Sequence, residues 1–316
     1  MGVSNDGMTA KRVPHINPYL YAAPDLWLEN RKNIPPKGMS KITTGSPPTD
    51  DGALTLTAEE KDILLKKYPQ LASCIKPFIG AREFLHDRVG EYSRYCLWFV
   101  DTNIADYISI AEIRERLERV KALRLRSNAD RIQKMAAFPY LFCQIRQPHT
   151  NYLVIPRHSS ENRPYIPLGF AHPDVIAGDA CTILPNASLY SFGIMMSKVH
   201  YAWMKVVCGR IKSDFRYSPA IYNNFPWLDI SEDQRQKIEE TAQGILDARN
   251  KYSDRSLADM YDDLIMPPEL LKAHQQNDIA VMKAYGFTKV GADGKNHWLT
   301  ESEVVAELMK MYQELC

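Results

Sequence analysis

Charges of alternating sign stand two residues apart in the stretch Cys208–Trp227, CGRIKSDFRYSPAIYNNFPW: Lys212, Asp214 and Arg216. In an extended segment, residues two apart project from the same side, so cation, carboxylate and cation would share a face. Two chemistries suit such a set. The charges can close on one another as a surface ion pair, worth under about 1 kcal/mol. They can also meet a G·C pair in the DNA major groove, where guanine offers two acceptors and its cytosine partner an amino donor. Two further charges, Arg157 in VIPRHSS and Asp179 in IAGDAC, are far apart in sequence. Asp179 lies in an apolar context, VIAGDACTIL, where a lone carboxylate is costly unless paired. Pairing with Arg157 would serve structure or recognition equally well.

The motifs of self-contained catalysis are missing. The sequence has no glycine-rich phosphate loop, and YGFTKVGADG lacks the spacing for one. It has no G-x-S-x-G elbow, no HExxH and no His/Cys cluster of metal-site spacing. NIPPKG and GSPPTD hold the paired prolines of the exocyclic-amine methyltransferase motif D/N/S-P-P-Y/F, without its acceptor and aromatic flanks. We therefore expect no catalytic, cofactor or metal site within the chain. The cysteines at 74, 96, 143, 181, 208 and 316 form no CxxC, which points to reduced, cytosolic thiols. No apolar run reaches about 18 residues, so no membrane span is expected, and the N-terminus lacks a basic-then-apolar leader pattern.

The net charge of +1 hides an asymmetry. From residue 228 to the end there are 17 acidic and 10 basic residues, which leaves a net +8 on 1–227. A basic body beside an acidic cap suits an anionic partner.

The elements that must position these charges are legible in outline. Residues 1–16 form a polar, flexible segment. The Pro- and turn-rich stretch to about residue 56 reads as an extended wrap with little helix. Thr57 and Glu60 have capping-box spacing at a helix start, and Pro69 follows its end. RYCLWFVD (94–101) reads as a buried strand. Residues 111–136 read as one helix, with Ile113, Leu117, Val120 and Leu123 at helical spacing. Its basic residues Arg124, Arg126 and Arg131 are candidate phosphate contacts, or simply a solvated face. Short apolar runs at 151–157, 165–170 and 175–185 read as strands. Residues 191–209 read as a helix capped by Gly209; Lys198, Lys205 and Arg210 on or beside it read as phosphate contacts or solvated. Beyond NNFPW (223–227), expected to pack a domain boundary, caps at Ser231/Gln234 and Thr300/Glu303 and a Pro-Pro break outline an acidic, all-helical module.

At IPRHSSENRPYIPLGF, PNASLYSFGIMMSKVHYAWMKVVCGRIKSDFRYS, YNNFPW and SLADMYDDLIMPPELLKAHQQNDIAVMKAYGF, the chain resembles the C-terminal part of the fused adenine-N6 DNA methyltransferases of the MmeI type. The likeness implies a mixed α+β (α/β) DNA target recognition domain over 17–222 and a small all-helical C-terminal domain over 223–316. It implies double-stranded DNA and a methyltransferase domain outside these residues as partners, with S-adenosylmethionine held by that domain. By the same likeness, Lys212 and Asp214 match positions that read the base pair 3′ of the target adenine. Arg157 and Asp179 match those that read the pair 5′ of it, and Ala180 and Arg216 a third pair one step further 5′. Their chemistry implies a core of 5′-CGAG-3′. Two other readings stay open: a protein-interaction adaptor using the acidic helices, and a free-standing specificity subunit.

Overall fold

The computed structural model describes residues 13–23, 25–29, 31, 34–291 and 293–315. Residues 1–12 of the expected flexible segment lie outside that range. From residue 13 to β1 (Thr43–Thr44) the described chain has neither helix nor strand. It runs as a strap along the end of the molecule. Asn17 Nδ2 reaches Met309 Sδ at 3.0 Å, the Glu29 amide donates to the Tyr312 hydroxyl at 3.1 Å, and Asn224 Nδ2 donates to the Glu29 carbonyl at 2.7 Å.

The first layer is a sheet of order β2-β4-β3-β8, formed by Thr55–Thr57, Arg94–Leu97, Ile75–Ile79 and Ile176–Ala177. Helix α1 (Ala58–Lys67) starts at the foreseen capping box: Thr57 Oγ1 accepts from the Glu60 amide and Glu60 reaches back to the Thr57 amide. After α2 (Ala81–His86) comes α3 (Ala111–Leu125), which seats Ile113, Leu117 and Val120 in the same core as Leu64, Leu97 and Phe99. The single helix expected over 111–136 is two. The chain leaves helical geometry after Leu125 and resumes at α4 (Asp130–Lys134).

The second sheet, order β1-β9-β5-β7, is antiparallel. β5 (Tyr152–Pro156) is wholly buried at its centre, between β9 (Cys181–Pro185) and β7 (Gly169–Ala171). The apolar run 175–185 is thus two strands, β8 and β9, parted by Gly178-Asp179-Ala180, and the run at 165–170 forms a strand only from Gly169. A third sheet of order β10-β11-β6 joins Gly209–Ile211, Asp214–Arg216 and His158–Ser159.

The helix expected over 191–209 is also two, α5 (Leu189–Met195) and α6 (Lys198–Val207), because Ser197 caps α6 through the His200 amide. Gly209 is not a cap but the first residue of β10. Next come α7 (Pro219–Asn223), α8 (Glu232–Asn250), α9 (Leu257–Met260), α10 (Pro268–Ala284) and α11 (Glu301–Leu315). The C-terminal module is helical, with one unforeseen hairpin of β12 (Thr288–Val290) and β13 (Asn296–Trp298). Its packing is continuous with the recognition part: Leu153, Phe192, Trp203 and Phe225 share one core with Ile238, Val281 and Leu308.

Candidate nucleic-acid interface

Arg157 is the joint between the second and third sheets. The last β5 rung pairs Pro156 with Cys181, and one step on the Arg157 amide donates to the Ala180 carbonyl at 3.1 Å. Its own carbonyl accepts from the Tyr217 amide at 2.8 Å, beyond the rung that pairs His158 with Arg216. One residue therefore docks the 178–180 loop on one side and the 209–216 hairpin on the other. Arg157, Asp179, Ala180, Asp214 and Arg216, from segments far apart in sequence, come together along one edge.

The hairpin differs from the extended segment expected. Ile211 pairs with Asp214, so Lys212 and Ser213 form a two-residue turn, and Lys212 adopts left-handed backbone at φ 55°. Alternation within a strand holds for Asp214 and Arg216, which are exposed on either side of buried Phe215. It does not hold for Lys212, which projects from the tip instead.

Asp179 is exposed, contrary to the buried placement its apolar neighbours suggested. It is not paired through its carboxylate either: Arg157 Nη1 donates to the Asp179 backbone carbonyl at 2.9 Å, while Arg157 Nε is buried and unpartnered. Among the described residues, the side chains of Lys212, Asp214, Arg216 and Asp179 form neither an ion pair nor a hydrogen bond with one another. The self-contained surface ion pair is not made.

Sequence reasoning missed two contributors. His158 lies directly opposite Arg216 and so shares its face. Partial desolvation and then the neighbouring Arg157 and Arg216 lower its pKa, which favours a neutral ring. Gly45 clamps the 178–180 loop from behind: its amide donates to the Cys181 carbonyl at 2.9 Å while the Ser46 amide donates to the Ala177 carbonyl at 2.7 Å. A Cβ on Gly45 would lie 2.3 Å from the Gly178 oxygen. A single glycine in a turn-rich stretch gave no signal of this.

Several candidate phosphate contacts are structural. Arg124 is 0% exposed and donates to the carbonyls of Pro48, Thr49, Met135, Phe138 and Leu141 at 2.8–3.1 Å. It ties the end of α3 to the β1–β2 loop and to the segment that follows α4, so no phosphate can reach it. Lys198 is held by the Pro164 carbonyl, and Lys205 by Glu301 of α11. Arg210 is bound within the hairpin and to Glu161. Arg126 and Arg131 remain exposed. Among the described residues no group of His, Cys, Asp or Glu is placed to hold a metal ion, and no helix is long and apolar enough to cross a membrane.

Residues 22–229 match the family described as "MmeI, target recognition domain" and residues 230–316 the family "MmeI, C-terminal domain". The chain belongs to the MmeI family and carries its target recognition and C-terminal domains. It is 35% identical over 309 residues to DNA methyltransferase A of Bacillus subtilis (strain 168), covering 97% of this chain and 33% of that protein. Its fold superposes with a TM-score of 0.87, at 38% identity, on the Type IIL restriction-modification enzyme MmeI, solved in complex with DNA; the match covers 97% of this chain and 39% of MmeI. The chain thus spans about a third of the length of these relatives.

Proposed function

We propose that this chain selects the DNA site for a methyltransferase, reading base pairs in the major groove with the edge built around Arg157. The observation that carries this is the gathering of Arg157, Asp179, Asp214 and Arg216 from three separate segments, with the last three side chains exposed and, among the described residues, in no ion pair. Charges brought together by long-range folding yet left without protein partners are poised for a ligand that is itself charged and polar. A major-groove base edge fits, since guanine accepts from a cation while its cytosine donates to a carboxylate.

In this reading Lys212 and Asp214 read the base pair 3′ of a target adenine, Arg157 and Asp179 the pair 5′ of it, and Ala180 with Arg216 the next pair, for a core of 5′-CGAG-3′ methylated at adenine N6. The projection of Lys212 from a hairpin tip suits a groove reader, because a narrow ribbon enters the major groove. The adenine must leave the stack to be modified. That chemistry, and S-adenosylmethionine, belong to a methyltransferase domain of the same protein, outside these residues. Free thiols at Cys74, Cys96, Cys143, Cys181 and Cys208 agree with work in the reducing cytoplasm.

The experiment is methylation sequencing of DNA from cells that express the full-length protein. Methylated adenine within GAG is expected; a methylated motif without that core would overturn the base assignments. Binding that does not weaken steeply with salt would overturn the DNA reading itself.

A further inference from the structure

The hairpin has a brace outside the base-facing set. Arg210, on β10 opposite Phe215, turns its guanidinium back across the hairpin. Its Nη1 donates to the Ser213 carbonyl at 2.9 Å and lies 3.2 Å from Glu161 Oε2, and the guanidinium carbon sits 4.5 Å from the centre of the Phe215 ring. Ser213 is the second turn residue, directly after Lys212. Glu161 belongs to the loop that follows β6, and α6 fixes that loop from behind: the Tyr201 hydroxyl donates to the Arg163 carbonyl at 2.7 Å and the Lys198 ammonium to the Pro164 carbonyl. One side chain thus links the tip that carries Lys212 to the segment that follows Arg157.

The turn needs such a link. Left-handed backbone at φ 55° is unfavourable for any residue with a Cβ, so an unbraced tip would sample other conformations and move the Lys212 ammonium. As an exposed pair, with side chains 44% and 42% accessible, Arg210 and Glu161 contribute little to global stability. What the guanidinium supplies is direction: its Nη1 holds a carbonyl and a carboxylate together while its carbon lies over the Phe215 ring.

We propose that Arg210 and Glu161 are positioning residues for base reading, fixing where Lys212 and Asp214 meet the groove without contacting DNA. The proposal rests on the base-reading assignment of the hairpin given above. The test uses the full-length protein, a duplex library randomised at its centre, and sequencing of the bound fraction, with Arg210→Ala, Arg210→Lys and Glu161→Gln beside the wild type. All three variants are expected to lose about 10-fold of preference at the base pair read by Lys212 and Asp214, to keep it at the pair read by Arg157 and Asp179, and to leave the salt dependence unchanged. Uniform weakening at every position with a shallower salt slope, restored by Arg210→Lys, would make Arg210 a phosphate contact and overturn the proposal. So would an unchanged motif. A wild type that enriches no motif would instead remove the base-reading assignment. If Arg210→Ala fails to fold, Glu161→Gln, exposed and isosteric, separates the same outcomes.

Discussion

The base-facing edge and the junction between the recognition part and the C-terminal helices use similar residue types in opposite ways. At the junction the buried charged side chains Arg249 and Asp278 have protein partners. Buried Arg249 donates to the Tyr261 hydroxyl at 2.7 Å and to the Leu168 carbonyl at 2.5 Å, and Tyr261 shares a 2.7 Å hydrogen bond with His274. The Tyr165 ring stacks on His274 at 4.0 Å, and its hydroxyl donates to Asp278 at 2.7 Å. At the edge, Asp179, Lys212, Asp214 and Arg216 are exposed, and among the described residues their side chains form no ion pair. Burial without a partner is expensive, so an interior arginine must be satisfied by the protein, as Arg249 and Arg124 are. A surface charge carries no such obligation and stays available to a ligand. The contrast teaches that composition does not separate the two roles; Arg124 sits in the most basic stretch of the chain and is wholly structural.

The largest effects expected should fall on the interior side of this contrast. Arg249→Met or Arg124→Met should cost about 3–5 kcal/mol of folding stability, read by urea unfolding, with no change of base preference in whatever folds. A large loss of stability from Asp214→Ala would break the contrast. Acid should find the same weakness. Burial depresses His200 to about 3 and His274 well below its ordinary value. Above about pH 6.5 both are neutral whether folded or not. As pH falls from there toward 3, only the unfolded chain takes up the His200 proton, and the sign is the same for His274 for as long as its buried ring stays neutral. Stability should therefore drop by about 1.4 kcal/mol per pH unit per histidine. A flat profile in that window would show that these rings are not sealed.

On the edge, the double variant Lys212→Glu with Asp214→Arg should move the preferred base pair by about 1–3 kcal/mol of discrimination and change stability by less than about 0.5 kcal/mol. An unchanged preference would remove the hairpin from base reading. Gly45→Ala sharpens the comparison, because it touches the edge only through backbone. Its Cβ would overlap the carbonyls of Ala177 and Gly178 at 2.4 and 2.3 Å. The expected result is a loss of about 1–3 kcal/mol of stability, with weaker preference at the base pair met by Arg157 and Asp179 and none lost at the hairpin's. The smallest effect should come from Arg126→Gln and Arg131→Gln. Each should weaken all duplexes alike and lower the salt slope by about one, measured by binding across salt concentrations.

What the sequence determined by itself is local. The capping boxes at Thr57/Glu60 and Ser231/Gln234, the short-helix, Pro-Pro and long-helix order of 257–284, and the buried face of Ile113, Leu117 and Val120 are as their spacing requires. Such signals act within one or two turns of chain and here agree with the tertiary packing; where they do not, as at Gly209, the long-range pairing prevails. The family was legible as well, since long strings such as VHYAWMKVVCGRIKSDFRYS carry it. The tertiary structure alone decided that a strand pairing sets Arg157 beside the Asp179 loop and the Arg216 hairpin, that Lys212 occupies a turn, that Asp179 faces solvent and that Arg124 does not. Each of these depends on which segment covers which, and the antiparallel registers of β5 with β9 and of β6 with β11 join residues more than twenty positions apart. A charge reports its own cost of burial; only its neighbours in space decide whether that cost is met by the protein or left for a ligand to meet.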